Sequence, residues 1–324
     1  MNKIRSECRK RCLGLGIVVW FVSSLHAATL KESIYLDIEW GQSSGQVGHW
    51  APGKGQDDEG EWAGPTSFAV NSAGDIAIID MVNKRVEIFS PDGKLRHLLS
   101  FQYPISWVND IDVDHSGRWF LLVDSTEKGS PQGHGVWEYS GDATPKKKID
   151  VASLGIQSPL NLELGQKNDL LVQDNHGFVT YRLDLTGQIL SKKEDDERLY
   201  YLASQGLYTV TRASGAIQVH SNGGNTIGQY PDPFDTFSVL GLSPSGDIIM
   251  IMKIQETTYT LEGLSQSSEK RFSVIFRDSS LFQRLALTRL AGLRNVRVGP
   301  DGSVYAMGKP DDSRFRIFRY QIQP

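Results

Sequence analysis

Residues 64–99, GPTSFAVNSAGDIAIIDMVNKRVEIFSPDGKLRHLL, decide the fold. Apolar residues alternate at Phe68 and Val70, at Ile76 and Ile78, and at Val86 and Ile88, the period-2 pattern of half-buried strands. Between them Asn71-Ser72-Ala73-Gly74 and Ser90-Pro91-Asp92-Gly93 supply tight turns, with glycine available wherever φ must be positive. The stretch reads as short antiparallel strands joined by turns. One such sheet cannot bury both of its faces, so it requires neighbours of its own kind.

Those neighbours follow along the chain. Strand signals recur from about residue 107, again from 160, 200, 238 and 296, each set containing a turn at a corresponding place. The turn positions are Gly74, Gly117, Asn168, Gly206, Gly246 and Gly302, spaced by 43, 51, 38, 40 and 56 residues, which suits four-stranded units with loops of variable length. No alternation with helices supports a parallel sheet. The last unit lacks a fourth strand, while 34–40 (IYLDIEW) has no unit of its own. Pairing that segment outside 315–320 would close a ring and hide an open edge. The chain is therefore expected to be all-β, a six-bladed β-propeller whose N-terminal strand closes the last blade. Two long connections interrupt it, 41–64 and 277–293, and the second holds the one convincing helical pattern, 279–287.

The first 27 residues stand apart. Lys3, Arg5, Arg9, Lys10 and Arg11 precede an apolar run of ten, Leu13 to Val22, followed by small residues at Ser23, Ser24, Ala27 and Ala28. This is the tripartite pattern of a secretory signal peptide, and the apolar run is shorter than the roughly 20 residues of a membrane span. The expectation is export to the periplasm or beyond the cell, residues 28–324 forming one domain with no membrane insertion after cleavage; a retained N-terminal anchor is the other reading. Cleavage would remove both cysteines, Cys8 and Cys12, and shift the formal charge from −4 to −8. An exported chain without disulfides relies on its core alone, which at this length buries a large share of its surface. An acidic, unclustered charge speaks against nucleic acid and anionic membrane as partners.

Within each blade, the turns joining the first strand to the second and the third to the fourth lie on one face, hereafter the turn face. The second-to-third loops and the connections between blades, including both long insertions, gather on the other, the loop face. Function is expected there, because loops on a rigid scaffold usually carry it. Asp80, Asp124 and Asp174 each end a second strand. Such carboxylates either cap loop N–H groups, with Asp80 also pairing with Arg85, or converge on the central channel to ligate a hard cation. His134 and His176 are read as second-to-third loop residues, either solvated or, beside Asp124 or Asp174 of neighbouring blades, holding zinc or acting as a base with its orienter. Trp50, Trp62 and Trp107 either pin the long loop or offer aromatic contact area to a ligand; Arg85 and Arg212 would orient an anionic group. No nucleophile elbow, zinc-protease helix, phosphate loop or calcium loop spacing occurs.

The first blade resembles an NHL repeat in Pro65, Gly74-Asp75-Ile76, Asp80, Asn83, Arg85-Val86, Phe89 and Pro91-Asp92-Gly93. Gly302-Ser303-Val304 with Arg316 and Phe318 echoes it, as do residues 243–248, while the middle blades lack the Asn–x–Arg–Val element. The resemblance implies six blades and a surface that binds protein, peptide or glycan. Some NHL-like and lactonase-like propellers are metal-dependent lyases or hydrolases, with acids, Asn or His around the channel. The reading is an exported, monomeric binding or scaffold propeller without a cofactor; the alternative is a lyase or lactonase-like hydrolase using calcium or zinc.

Overall fold

The period-2 runs become strands in a computed structural model of the protein, which describes residues 29–49, 64–101, 105–125, 133–165, 168–174, 179–194, 208–213, 216–221, 224–231, 237–255, 258–276, 295–308 and 313–323. The chain enters through β1 (Thr29–Ile38). Blade 1 follows as β2 (Phe68–Val70), β3 (Ile76–Asp80), β4 (Arg85–Phe89) and β5 (Leu95–Ser100). Blade 2 is β6 (Ile105–Val113), β7 (Trp119–Ser125), β8 (Gly133–Tyr139) and β9 (Pro145–Asp150), and blade 3 is β10 (Pro159–Leu164), β11 (Leu170–Asp174), β12 (Val179–Leu183) and β13 (Ile189–Glu194). In blade 4 three strands are described, β14 (Tyr208–Ala213), β15 (Ala216–Ser221) and β16 (Thr226–Pro231). Blade 5 contains β17 (Phe237–Leu242), β18 (Ile248–Gln255), β19 (Thr258–Leu264) and β20 (Lys270–Phe276). Blade 6 contains β21 (Val296–Val298), β22 (Val304–Met307) and β23 (Phe315–Gln323), with β1 as its outermost strand. Among the described residues the strands of each blade pair as antiparallel meanders and β1 joins β23 antiparallel, as expected for a six-bladed propeller.

The closing strand runs antiparallel to β23 from Thr29 opposite Gln323 to Ile38 opposite Phe315. Without it β23 would present an unpaired edge. Ion pairs reinforce the seam at its loop-face end, where Arg314 meets Asp37 at 2.6 Å and Glu39 at 3.3 Å.

Burial is organised between blades. Ile76, Ile78 and Phe89 pack with Tyr305, Phe315 and Ile317 of blade 6, whereas Ala77, Ile79 and Ile88 pack with Ile111, Leu121 and Val123 of blade 2. Both faces of a central strand are thus covered, which explains runs such as IAII in β3 and WFLLV in β7 that no longer alternate. Each fully buried Ile, Leu or Phe of these layers is worth about 1.5–3 kcal/mol. The expected turn residues Gly74, Gly117, Asn168, Gly246 and Gly302 all have positive φ, from 57° at Asn168 to 83° at Gly74 and Gly117. Asn168 occupies a left-handed conformation that asparagine tolerates better than most side chains. The sixth expected turn, Gly206, lies outside the described residues, as do the leader, residues 50–63 and the helical pattern at 279–287. Among the described residues the sole helical element is one 3-10 turn, Ala152–Leu154.

Candidate functional site

At the loop-face end of blade 1, four turn residues after Asp80 bring the chain back at Arg85, directly opposite it. Asp80 is fully buried and accepts hydrogen bonds from the backbone N–H of Gly48 (2.9 Å) and of Asn83 (3.1 Å) and from the Asn83 amide (2.7 Å). The expected pair with Arg85 forms at 3.3 Å. The guanidinium donates onward to the carbonyls of Gln42 (2.9 Å), Ser43 (2.8 Å) and Gln46. Glu87, two residues further along the same face of β4, accepts from Gly45 N–H at 2.9 Å. Its carboxyl is pushed up to about 7, chiefly by burial, with partial relief from that N–H and from Arg85. Together these groups clamp segment 41–49 onto blade 1, satisfying backbone groups that have no strand partner. Asp80 and Arg85 are occupied in holding chain, as the loop-capping reading had it.

Blade 2 assembles a different constellation. Trp107, Asp124 and His134 sit side by side in register across β6, β7 and β8. They continue the sheet face that carries Phe120, Leu122 and Val136 into the core shared with blade 3. His134 Nδ1 lies 2.7 Å from Asp124 Oδ1, and the same oxygen accepts the Asn109 amide at 3.0 Å. Asn109 also reaches the carbonyl of Pro159 on blade 3, at 3.1 Å. His134 is buried, while the Trp107 indole is 46% exposed on the innermost strand, beside the channel. Asp174 stands on the facing wall of the same seam, in line with Leu170 and Val172, and takes the backbone N–H groups of Gln157 (3.1 Å) and Ser158 (2.8 Å).

His134 is therefore a strand residue and not the loop residue that its glycine neighbours suggested. Gly135 belongs in β8 for a packing reason: a Cβ there would come within 3.2 Å of the Ile149 carbonyl oxygen on β9. Its partner Asp124 also belongs to its own blade, not to a neighbouring one. Trp50, Trp62 and His176 lie outside the described residues. Arg212 is carried by β14, opposite Ile217, with its side chain outside the described set. Among the described residues no group of three or more His, Cys, Asp or Glu side chains is placed to hold a metal ion.

The channel contains an assembly that the sequence reading passed over. Arg297, buried in the middle of β21, reaches beyond blade 1 to blade 2. Its guanidinium meets Asp110 at 2.5 Å and Asp112 at 3.2 Å, and donates to Ser67 Oγ (3.2 Å) and to the Ile111 carbonyl. The second carboxylate oxygen of each acid accepts a backbone N–H of blade 3, Leu162 on Asp110 and Leu164 on Asp112, each at 2.8 Å. Four blades are joined through one cation. The available signal was a lone charge inside the apolar triplet Val296-Arg297-Val298, matched by acids at alternate positions in β6.

No protein-family model matches the chain, and no curated protein is similar to it in sequence. Solved propeller structures are similar in fold. They include a glucose dehydrogenase (TM-score 0.48, 11% identity, covering 89% of this chain and 98% of that one) and the soluble aldose sugar dehydrogenase of Escherichia coli (0.46, 12%, 90% and 99%). Virginiamycin B lyase of Staphylococcus aureus is similar at a TM-score of 0.43 and 11% identity, over 91% of this chain and 99% of the lyase. Likeness at this level carries no residue role from those proteins to this one.

Proposed function

We propose that this propeller is an exported binding or scaffold module, related to NHL-repeat propellers through its first blade, that recognises a protein, peptide or glycan on its loop face. The observation carrying this reading is Trp107. A half-exposed indole on the innermost strand offers rigid contact area at the channel mouth. Asn109 and Asp124 beside it supply fixed polar contacts. Trp50, Trp62 and Arg212 would extend the same surface from their loops and strand. The leader-like residues 1–27 support export.

A second reading, a lyase or lactonase-like hydrolase with calcium or zinc near Asp124, Asp174 and His176, is favoured by one geometry: Asp124 holds His134 by Nδ1, as an orienting carboxylate holds a general base. One pair of variants separates the two. Trp107→Ala should weaken binding on peptide and glycan arrays by about tenfold or more, as for a central aromatic anchor, while His134→Ala leaves it within about twofold. If the arrays instead show retained binding in Trp107→Ala, the loop-face module is wrong; metal at one equivalent, lost on substituting Asp124 or Asp174, would favour the enzyme.

A further inference from the structure

At the loop-face end of the seam between blades 2 and 3, the side-chain donors around Trp107 are already engaged. Both amide hydrogens of Asn109 are taken, one by Asp124 Oδ1 at 3.0 Å and one by the Pro159 carbonyl at 3.1 Å. A carboxylate has no hydrogen to give, so His134 Nδ1 is the donor in its 2.7 Å contact with Asp124. The Ser106 hydroxyl donates to the Asp124 carbonyl at 3.1 Å. Across the seam, Asp174 holds the N–H groups of Gln157 and Ser158.

The groups left over are of one kind. Asp124 Oδ2 and Asn109 Oδ1 accept no hydrogen bond from the protein, and the Asp124 side chain is 31% exposed. Among the described residues no Lys or Arg pairs with Asp124. Trp107, half-exposed, stands directly opposite Asp124 across the β6–β7 pair, where cross-strand neighbours lie close enough for one ligand group to touch both. Its indole face is electron-rich and attracts cations. An aromatic face beside unengaged carboxylate and amide oxygens therefore offers acceptors and negative potential together.

Such a place suits a group that only donates. Ammonium and guanidinium have hydrogens and no acceptor, whereas a sugar hydroxyl both gives and takes. A hard metal ion needs more oxygens than these two, about six to eight for calcium, and no described cluster supplies them. The formal charge of −4 over the chain also favours approach by a cation. Because the indole and the carboxylate both keep contact with water, a small free cation gains little here; a side chain carried by a longer ligand is held by its other contacts as well.

We infer that the loop-face ligand is a peptide that lays an arginine or lysine side chain over Trp107 and sets its charged head against Asp124 Oδ2 and Asn109 Oδ1. Arginine fits better, since its planar fork stacks on the ring while donating along its edge. This inference rests on the loop-face binding reading and narrows it to basic peptides.

The test titrates residues 28–324 with acetyl-Gly-Ser-Arg-Ser-Gly-amide and with its citrulline counterpart, which keeps the shape and loses the charge, by saturation-transfer NMR and calorimetry at low salt. The arginine peptide should bind about tenfold or more tightly than the citrulline one, a difference of about 1.4 kcal/mol, and added salt should shrink that advantage. Asp124→Asn should erase the difference and Trp107→Ala should abolish binding of the arginine peptide. Asp142→Asn, which removes the same charge from an exposed turn on the opposite face of blade 2, should leave binding within about twofold. The citrulline comparison leaves the protein unaltered, so a folding defect in a variant does not blunt it. No binding of the arginine peptide, equal binding of the two peptides, or a preference that survives Asp124→Asn would each overturn the assignment. Array ligands that are lost in Trp107→Ala yet show no excess of arginine or lysine would overturn it while leaving the loop-face module standing; array binding retained in Trp107→Ala would remove both.

Discussion

Glu87 has a completely buried side chain beside Arg85, and its carboxyl titrates near 7 instead of its ordinary 4.5. Between those values the folded protein keeps a proton that the unfolded chain has released. Stability must then fall as pH rises through the window, by on the order of 2–3 kcal/mol. Glu87→Gln, which keeps an acceptor for Gly45 N–H, is expected to melt higher than the parent at about pH 8 and alongside it at about pH 5, read by thermal denaturation. The neighbouring clamp behaves differently. Arg85→Met leaves Asp80 buried without its cation and should cost about 3–5 kcal/mol, and limited proteolysis within 41–49 should be faster than in the parent. Asp80 and Arg85 were legible in the sequence as partners because a second-strand acid and a third-strand base across a four-residue loop have little else to meet. That their shared task is to hold 41–49 was not legible, since it depends on which carbonyls the closing segment presents. His134 was legible as a polar group near Asp124 but assigned to a loop, since a glycine on each side is the usual mark of a turn; here a Cβ at Gly135 would crowd the Ile149 carbonyl of the adjoining strand at 3.2 Å.

Individual elements were easier to read than individual side chains. In blade 1 the alternation and the two turns place β2 through β5 within a residue or two of where they fold, because each turn has the glycine its φ demands. Blade 4 follows the same rule where it is described, with Gly224 at φ 78° in the turn from β15 to β16. The orphan N-terminal segment was legible for a topological reason: a ring of antiparallel blades has one edge too many unless a distant strand fills it. Deleting residues 29–38 should expose β23 along its length and yield aggregated protein, or a chain lacking the cooperative transition, by light scattering and circular dichroism. Shielding that edge is the work of the strand as a whole, so single substitutions at its exposed positions, such as Lys31→Ala, should move stability by about 0.5 kcal/mol or less.

For the whole molecule the decisive group is Arg297, whose bonds tie blade 6 to blades 1 and 2 while the acids it pairs with hold blade 3. Arg297→Met should lower stability by about 3–5 kcal/mol in urea titrations, because Asp110 stays fully buried, and Asp112 half-buried, without their cation. Adding Asp110→Asn to that variant should recover part of the loss, since the cost is one of unpaired charge. The ring was legible from periodic turns; this central tie was not, because it joins residues nearly two hundred positions apart and no local pattern announces it. The register of the seam has a further consequence. Thr29 and Gln323 are paired neighbours at the same rim, so the two ends of the described chain leave the molecule side by side. A short peptide joining them would convert a closure made only of hydrogen bonds into an ordinary hairpin. New ends could then be opened at a surface turn such as that at Gly93. A circular permutant of this kind would have no non-covalent seam left in blade 6, and the blade that unzips first would be set by the experimenter's choice of break.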